Sequence, residues 1–487
     1  MSSTISQRTV PAFKSKPHIV VLTDICNEPD DAESLTRFLL YANEFHIDGL
    51  VATTSTWQRT ATHKEQIHQI LDAYAGVLNN LNTHTPHSRQ YPSADSLRAV
   101  VRSGLGEYGM EAARGPLNEG TELLVKAVDA IPVDGHLWVV IWGGANVLAQ
   151  ALLHVKASRQ EAEVAAFAAK LRVYAISDQD DAGAWIRLQF PQIFYIASVH
   201  GWNMYGLAAW TGISGESYYN FNPGGPDSSL VSKEWLKEHI QIGPYGSIAY
   251  PDPVFIIEGD TPTFLSLIQN GLSDPEHPEW GGWGGRYLVT DPTGVSKHYS
   301  DAADLVIGKD GKSHIGSQAT IWRWREAYQG DFAARMQWTL GPDTKNVNHA
   351  PVVIVNGDSG LEPIHLKVAP GGTVQLDASK TWDPDSGDQL EFRWLHYREP
   401  SATQWTVRFQ VPELKVEDLS KDGGRKFEKV AVTFPGRDEG LAFPLDPTKI
   451  MKWGEKTYHL ILEVVDDAKY QMRSYRRILV EVVDDQK

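Results

Sequence analysis

The sequence predicts two domains in series: an α/β domain built on a mostly parallel sheet flanked by helices, followed by an all-β sandwich. Three observations carry that expectation. From His18 onward, short β-branched runs alternate with longer amphipathic stretches, the pattern of strand–helix–strand units in a parallel sheet. After about Asn348 the alternation gives way to short strands separated by Gly, Pro, Asp and Ser, with little helical periodicity between them. The length of 487 residues exceeds the roughly 250–300 residues at which single cores stop growing.

The elements follow in order. Ile19–Leu22 precedes a helical pattern at Ala32–Tyr41, and Ile47–Thr54 precedes one at Thr62–Ala75. Leu137–Trp142 precedes Asn146–Leu153, and Leu171–Ser177 follows a long Ala-rich helix. In such sheets ligands sit beyond the carboxyl ends of the strands. The aromatic residues of Ile321–Trp338 recur at helical spacing, which points to core packing. The polar Gly341–Pro351 segment marks the domain boundary. Beyond it the alternating strands have the pattern of an immunoglobulin-like sandwich. Residues 1–17 are expected to be a flexible N-terminus, 18–345 the α/β domain and 346–487 the sandwich. Asp383, Asp385 and Asp388 share one turn of that sandwich, read as an Asx-turn ahead of a structural calcium site.

Composition narrows the function. With 42% hydrophobic and 22% charged residues the chain is globular. A net charge of −16 argues against nucleic-acid and acidic-membrane partners and favours a neutral, cationic or metal-assisted ligand. Cys26 is the single cysteine, which excludes an internal disulfide framework and any cysteine-rich metal site. No stretch approaches the length of a membrane span. The opening residues lack the apolar core of a secretory signal, so the chain reads as soluble and cytoplasmic as written, or as secreted if its N-terminus was trimmed.

The strongest chemical signal is Thr23–Leu35, where Asp24, Glu28, Asp30 and Asp31 crowd a strand-to-helix turn. Helix capping needs one acid. Four so close together repel unless they share a cation or a proton, which points to a hard-cation oxygen site. A second cluster, Asp178, Gln179, Asp180 and Asp181 ahead of Trp185, also follows a strand and has the donor, acceptor and aromatic chemistry that grips a sugar. In Ile256–Tyr287, the stretch from His277 to Tyr287 has too many glycines for a regular element and too many aromatics for an ordinary loop. It is expected to form a wall or lid, with Trp280, Trp283 and Tyr287 stacking on substrate and His277 or Glu276 donating a proton to the leaving group.

The acidic turn resembles the signature of the inosine–uridine-preferring nucleoside hydrolases, a strand followed by Asp-x-Asp-x-x-x-Asp-Asp and a helix. Asn27-Glu28-Pro29-Asp30-Asp31 resembles more specifically the nucleoside-hydrolase-like proteins described as cellulose-binding, which carry a C-terminal immunoglobulin-like domain. The resemblance implies a nucleoside-hydrolase-like fold, a bound Ca2+ and hydrolysis of a glycosidic bond. Two registers are open. One sets Asp24 on the family's first aspartate and Cys26 on the second, the metal ligand and base. The other, preferred here, sets Asp24 on that second aspartate with a longer turn behind it, because a thiol is a poor calcium ligand. Under the first, a binding-only role gains weight.

On this resemblance Asp24, Asp30 and Asp31 are the catalytic residues, and Asp24, Asp31, the Trp142 backbone and Asp260 hold the metal, with Asp252 and Asp274 as alternatives to Asp260. Ser55, Thr56 and Trp57 follow a segment similar to the family's Gly-x-Thr-Thr strand end, and Asn146 lies in a segment similar to its Thr-Gly-x-Leu-Thr-Asn turn. Asn27, Glu28 and Glu258 are further expected substrate contacts. The implied activity is metal-assisted hydrolysis of a carbohydrate. The alternatives are a non-catalytic cellulose- or carbohydrate-binding protein and a true nucleoside N-ribohydrolase. The expected partners are a carbohydrate or nucleoside substrate and, from the parent family, further copies of the chain in a homo-oligomer.

Overall fold

Ile19, Val20, Val21 and Leu22 are all fully buried, as a strand covered on both faces requires. The computed structural model describes residues 15–201, 204–291, 293–401, 411–421, 423–436 and 456–483. Of the expected flexible N-terminus, residues 1–14 lie outside the described residues. Among the described residues the chain divides into two compact units, one running to Ile268 and resuming over Gly282–Pro342, the other made of Gln269–Gly281 and the residues from Asp343 onward.

The first unit is built on strands β1 (His18–Thr23), β2 (His46–Ala52), β3 (Val101–Ser103), β4 (Leu137–Ile141), β5 (Leu171–Ser177), β6 (Phe194–Ser198), β7 (Tyr287–Val289) and β8 (His298–Asp301). Their order in the sheet is β3-β2-β1-β4-β5-β6-β8-β7. Every pair is parallel except β7 with β8. Val20 and Leu22 of β1, Val139 and Ile141 of β4 and Val173 of β5 share a core cluster with Leu124, Val128, Leu148 and Leu152 from the covering helices. The strand order reverses between β1 and β4, and beyond the carboxyl ends at such a switch point lies the crevice where open α/β sheets bind ligands. A hairpin of β9 (Asp304–Ile307) and β10 (Ser313–Gly316) follows. The aromatic stretch forms helices Ala319–Trp322 and Arg325–Trp338 with Trp322, Trp324, Tyr328 and Trp338 buried, in line with a packing role.

The second unit holds β11 (Ile364–Val368), β12 (Thr373–Asp377), β13 (Glu391–Tyr397), β14 (Lys415–Asp418), β15 (Lys429–Thr433), β16 (Lys456–Val465) and β17 (Arg473–Val482). One sheet runs β11-β17-β16-β13 and the other β12-β15-β14. All pairs are antiparallel except β11 with β17. Leu376, Phe392, Val430, Val432, Leu460, Leu462 and Ile478 join the two sheets in one core. In the acidic turn Asp383 Oδ1 accepts the Asp385 N–H at 2.8 Å, an Asx-turn. Among the described residues no helix is long and apolar enough to cross a membrane.

The segment Gln269–Gly281 is an excursion from the α/β sequence into this β unit. The Tyr475 N–H donates to Asn270 O at 2.9 Å and the Arg477 N–H to Gly271 O at 3.1 Å. The Arg477 guanidinium, 1% exposed, donates to Leu272 O and Gly281 O at 2.8 Å each and contacts His459 Nδ1 at 3.0 Å. Burial lowers its pKa to about 10. A chain of residues 343–487 alone would lose these acceptors and the cover over the guanidinium. It is expected to be about 1.5–3 kcal/mol less stable than the same chain with residues 269–281 fused to it, measured by urea unfolding.

Candidate functional site

The cavity opens at the switch point. Asp24 follows β1, Trp142 follows β4, and Ile176, Ser177 and Gln179 come from the end of β5; helix Pro29–Leu39 delivers Asp30 and Asp31, and Asp260 arrives from a distant turn. Its volume is about 270 Å³. Pro29 opens the helix at its first position, where the missing N–H costs nothing. Glu28 is the N-cap residue and makes no side-chain cap bond.

Asp24, Asp30, Asp31 and Asp260 are 2%, 9%, 4% and 1% exposed. One carboxylate oxygen from each of Asp30, Asp31 and Asp260 falls within 4.8 Å of the others. Ionised together at that spacing, each pair would repel by about 3–4 kcal/mol at an effective dielectric near 20. Burial, then the neighbouring negative charges, pushes Asp30 up to about 7 and holds Asp31 and Asp260 well above the usual carboxylate range. Asp24 is pushed up to about 6, mainly by burial, against a hydrogen bond from Ser55. Thr23 Oγ1 donates to Asp31. Asp260 Oδ2 is buried and accepts no hydrogen bond. An orphaned carboxylate oxygen in an all-oxygen cluster is a donor set that suits a hard divalent cation.

The residues expected from the sequence are only partly brought together. Asn27, Glu28, Trp57, Trp142 and Gln179 line the cavity with the four aspartates. Cys26 is exposed and absent from the lining, so Asp24 and not the thiol faces the site. The Trp142 carbonyl accepts the Gln179 side-chain amide at 2.5 Å, which uses one of the two lone pairs expected for a cation. Gly143 allows the close turn that follows, because a Cβ there would stand 2.8 Å from Asp24 Cβ and Oδ1.

Other expected contacts have partners within the protein and lie outside the cavity lining. Asp178 forms a two-bond ion pair with Arg187. Asp180 accepts the N–H groups of Asn146 and Ala182, and Asp181 that of Met110. Carboxylates after a strand were the right signal for a sheet edge, but here they tie neighbouring loops together. Asn146 is buried against Thr54 and Glu107, and Thr56 Oγ1 accepts from Arg59. Trp185 packs on Phe190 beside the helix-covered core, and Glu258 pairs with Arg37. The expected lid divides: Trp283 is 1% exposed within the α/β unit, whereas His277 stacks on Trp280 at 3.9 Å in the β unit and Trp280 meets His459 at 5.4 Å. None of these residues lines the cavity. Nor do Asp252 and Asp274, the alternatives to Asp260.

The aromatic wall comes instead from Tyr205, Trp210, Tyr218, Tyr219, Phe255 and Trp57. Tyr218 and Phe255 meet edge to face at 5.9 Å, and Trp57 meets Tyr205 at 6.4 Å. The signal that could have found most of them is the run of aromatics in the long irregular connection after β6, at the same carboxyl edge.

The Asn27 N–H donates to Asp24 O at 3.0 Å, closing a β-turn whose third residue, Cys26, has φ +80°. That region favours glycine. Cys26→Gly is expected to raise stability by about 0.5–1 kcal/mol in denaturant unfolding, relief of backbone strain outweighing the added freedom of the unfolded chain.

With this geometry in hand, comparison places the chain among known proteins. The model of the family "Cellulose-binding Sde182, nucleoside hydrolase-like domain" matches residues 18–287, and that of "Cellulose-binding protein Sde0182, C-terminal domain" matches residues 373–482. Among solved structures the chain is similar to a nucleoside hydrolase-related hypothetical protein from Saccharophagus degradans that is associated with carbohydrate metabolism. The identity is 29%, the match covers 96% of this chain and 100% of that one, and the TM-score is 0.74. A mouse clustered protocadherin, PcdhgC3 EC1-3, matches at 17% identity over 25% of this chain and 31% of that one with a TM-score of 0.16, too low to bear on the fold. No curated protein matches. With its first family match spanning more than half of its length, the chain belongs to the cellulose-binding Sde182 family with a nucleoside hydrolase-like domain.

Proposed function

We propose that the cavity binds a hard divalent cation, calcium in the first instance, together with one sugar residue of a carbohydrate, and that the protein hydrolyses a glycosidic bond there. The observation that carries this reading is the convergence of Asp24, Asp30, Asp31 and Asp260 in one buried cavity with an aromatic wall. A cation held by Asp30, Asp31 and Asp260, with Asp24 beside them, would supply the positive charge that offsets their repulsion and makes a neighbouring water more acidic.

Asp24 takes the proton from the attacking water at a carboxylate oxygen. In the cation-free site burial raises it to about 6, and a neighbouring cation would favour the ionised form that accepts the proton. Asp30 and Glu28 orient sugar hydroxyls, and the faces of Trp57 and Tyr219 pack against the apolar side of the ring. Trp142 and Trp210, both buried, keep bulk water from the floor. The leaving group departs from an oxocarbenium-like centre. The cellulose-binding description of the family and the neighbour's association with carbohydrate metabolism support a carbohydrate over a nucleoside. A second reading, binding without turnover, is favoured by one observation: the Gln179 amide on the Trp142 carbonyl occupies part of a coordination position.

Hydrolysis of oligosaccharides and nucleosides at saturating calcium separates the readings. Asp24→Asn is expected to lower turnover about 10²–10⁴-fold while calcium still stabilises the protein. Asp31→Ala is expected to abolish the calcium-induced rise in Tm, which for wild type at 100 times Kd corresponds to about 2.7 kcal/mol. Calcium binding with no turnover on any glycoside would leave the binding reading.

The pH dependence has a definite sign. Asp24, Asp30 and Asp180 all have folded pKa values raised above 3.8, to about 6, 7 and 7. Their contribution to stability is complete below the unfolded value and lost as pH rises through 6–7. In chelator, Tm is therefore expected to fall between pH 5 and pH 8. Added calcium should raise Tm more at pH 8 than at pH 5, because it competes with protons for the same oxygens. A calcium shift independent of pH would contradict this.

A further inference from the structure

Ionised and without a cation, Asp30, Asp31 and Asp260 repel one another. Groups outside the cavity tie the turn that carries Asp260 to helix Pro29–Leu39. The Glu258 N–H donates to Glu33 Oε2 at 2.9 Å, between residues 225 apart in sequence. Arg37 Nη1 donates to Glu258 Oε2 at 2.9 Å. The Thr261 hydroxyl lies 3.1 Å from Ser34 Oγ and 3.0 Å from Glu258 Oε2, and the Thr261 N–H donates to Glu258 O at 3.1 Å. Tyr250 donates to Glu258 Oε1 at 2.8 Å. All of these side chains are buried, and none lines the cavity.

Glu33, Ser34 and Arg37 sit on the same helix as Asp30 and Asp31, further along towards its C-terminus. The turn they fasten is also strained. Glu258 has φ +54°, a conformation a glutamate keeps only when its surroundings over-determine it. Ser214 braces the turn from the other side, its hydroxyl bridging the N–H and carbonyl of Ile257 at 2.8 Å each. At Gly259 a Cβ would stand 2.9 Å from Asp30 Oδ2, so the Asp30 carboxylate lies directly against the turn.

We infer that Glu258, held by Arg37 and Glu33, is a positioning residue that sets the separation between Asp260 and the Asp30–Asp31 pair. The buried Arg37–Glu258 ion pair supplies the attraction that the clustered carboxylates cannot. The functional meaning of this role rests on the cation-site reading above, but its geometry can be tested without it.

The test is the double variant Arg37→Met/Glu258→Gln, which removes both charges and so leaves neither buried alone. Far-UV circular dichroism establishes that it folds; if it does not, Arg37→Lys and Glu258→Gln singly provide the same measurements. In its crystal structure the Asp31–Asp260 carboxylate separation is expected to lengthen by about 1 Å or more. Affinity for Tb3+, used as a luminescent probe of a hard-cation site, is expected to fall about 10–100-fold, the usual cost of losing an outer-shell partner. The control is Arg335→Met/Asp331→Asn/Glu44→Gln. Arg335 donates to Leu40 O at 3.0 Å, to Asp331 at 2.8 Å and to Glu44 at 2.6 Å, beyond the opposite end of the same helix, so this variant too leaves no charge of the set buried alone, and it should leave Tb3+ affinity unchanged. An unaltered carboxylate separation, or an equal loss of affinity in the test and control variants, overturns the inference. If wild type fails to bind Tb3+ while the separation lengthens in the variant, the cation reading falls and the positioning role stands.

Discussion

Four carboxylates that repel one another when ionised are assembled in a cavity where each is at least nine-tenths buried, and the surrounding fold helps to hold them there. Part of that hold is covalent. Asp24, Asp30 and Asp31 lie in one short turn between the central strand β1 and the helix behind it. The rest is a set of buried polar ties from the helix to the turn that carries Asp260.

That demand shapes the helix Pro29–Leu39. Every residue from Asp30 to Leu39 is buried, an unusual condition for a stretch with Asp30, Asp31, Glu33 and Arg37. The polar residues persist because each one meets a specific partner or faces the site. Asp30 and Asp31 line the cavity, and Glu33 accepts the Glu258 N–H. Arg37 donates to Glu258, Gln329 and Tyr328 O while its guanidinium lies 4.4 Å from the Phe332 ring. Replacing a buried pair of this kind by apolar residues need not reduce stability, so its presence speaks for specificity of arrangement. The β unit uses the same device, with Arg477 gathering backbone carbonyls from Gln269–Gly281.

Much of the fold was legible before any coordinates. The strand–helix alternation announced a parallel sheet, and the carboxyl-edge rule placed the acidic turn where the cavity opens. The residues that resembled a known motif, Asp24, Asp30, Asp31 and Asp260, are the ones that line it. The second acidic cluster was less legible, because the same residue types serve a sugar site and a loop tie equally well; Gln179 lines the cavity and the aspartates do not. Asp178 meets Arg187, Asp180 meets two backbone N–H groups, and neither partner lies in a position that periodicity or composition could reveal. The aromatic stretch from His277 to Tyr287 was ambiguous for a related reason, since aromatic content points to burial and says nothing of what covers the rings.

The sequence by itself determined what is local: strand and helix periods, the crowding of carboxylates in one turn, and the change to β grammar near Asn348. These follow from neighbours in the chain and from the geometry of a single element. Only the tertiary structure decided which distant groups meet: that Asp260 joins the acidic turn, that Glu258 holds it there, that Tyr205 to Phe255 form the aromatic wall, and that residues 269–281 belong with the β unit. Each of these depends on contacts between residues far apart in the chain, and the pairing is selected by the packing of the whole core and the need to satisfy every buried polar group.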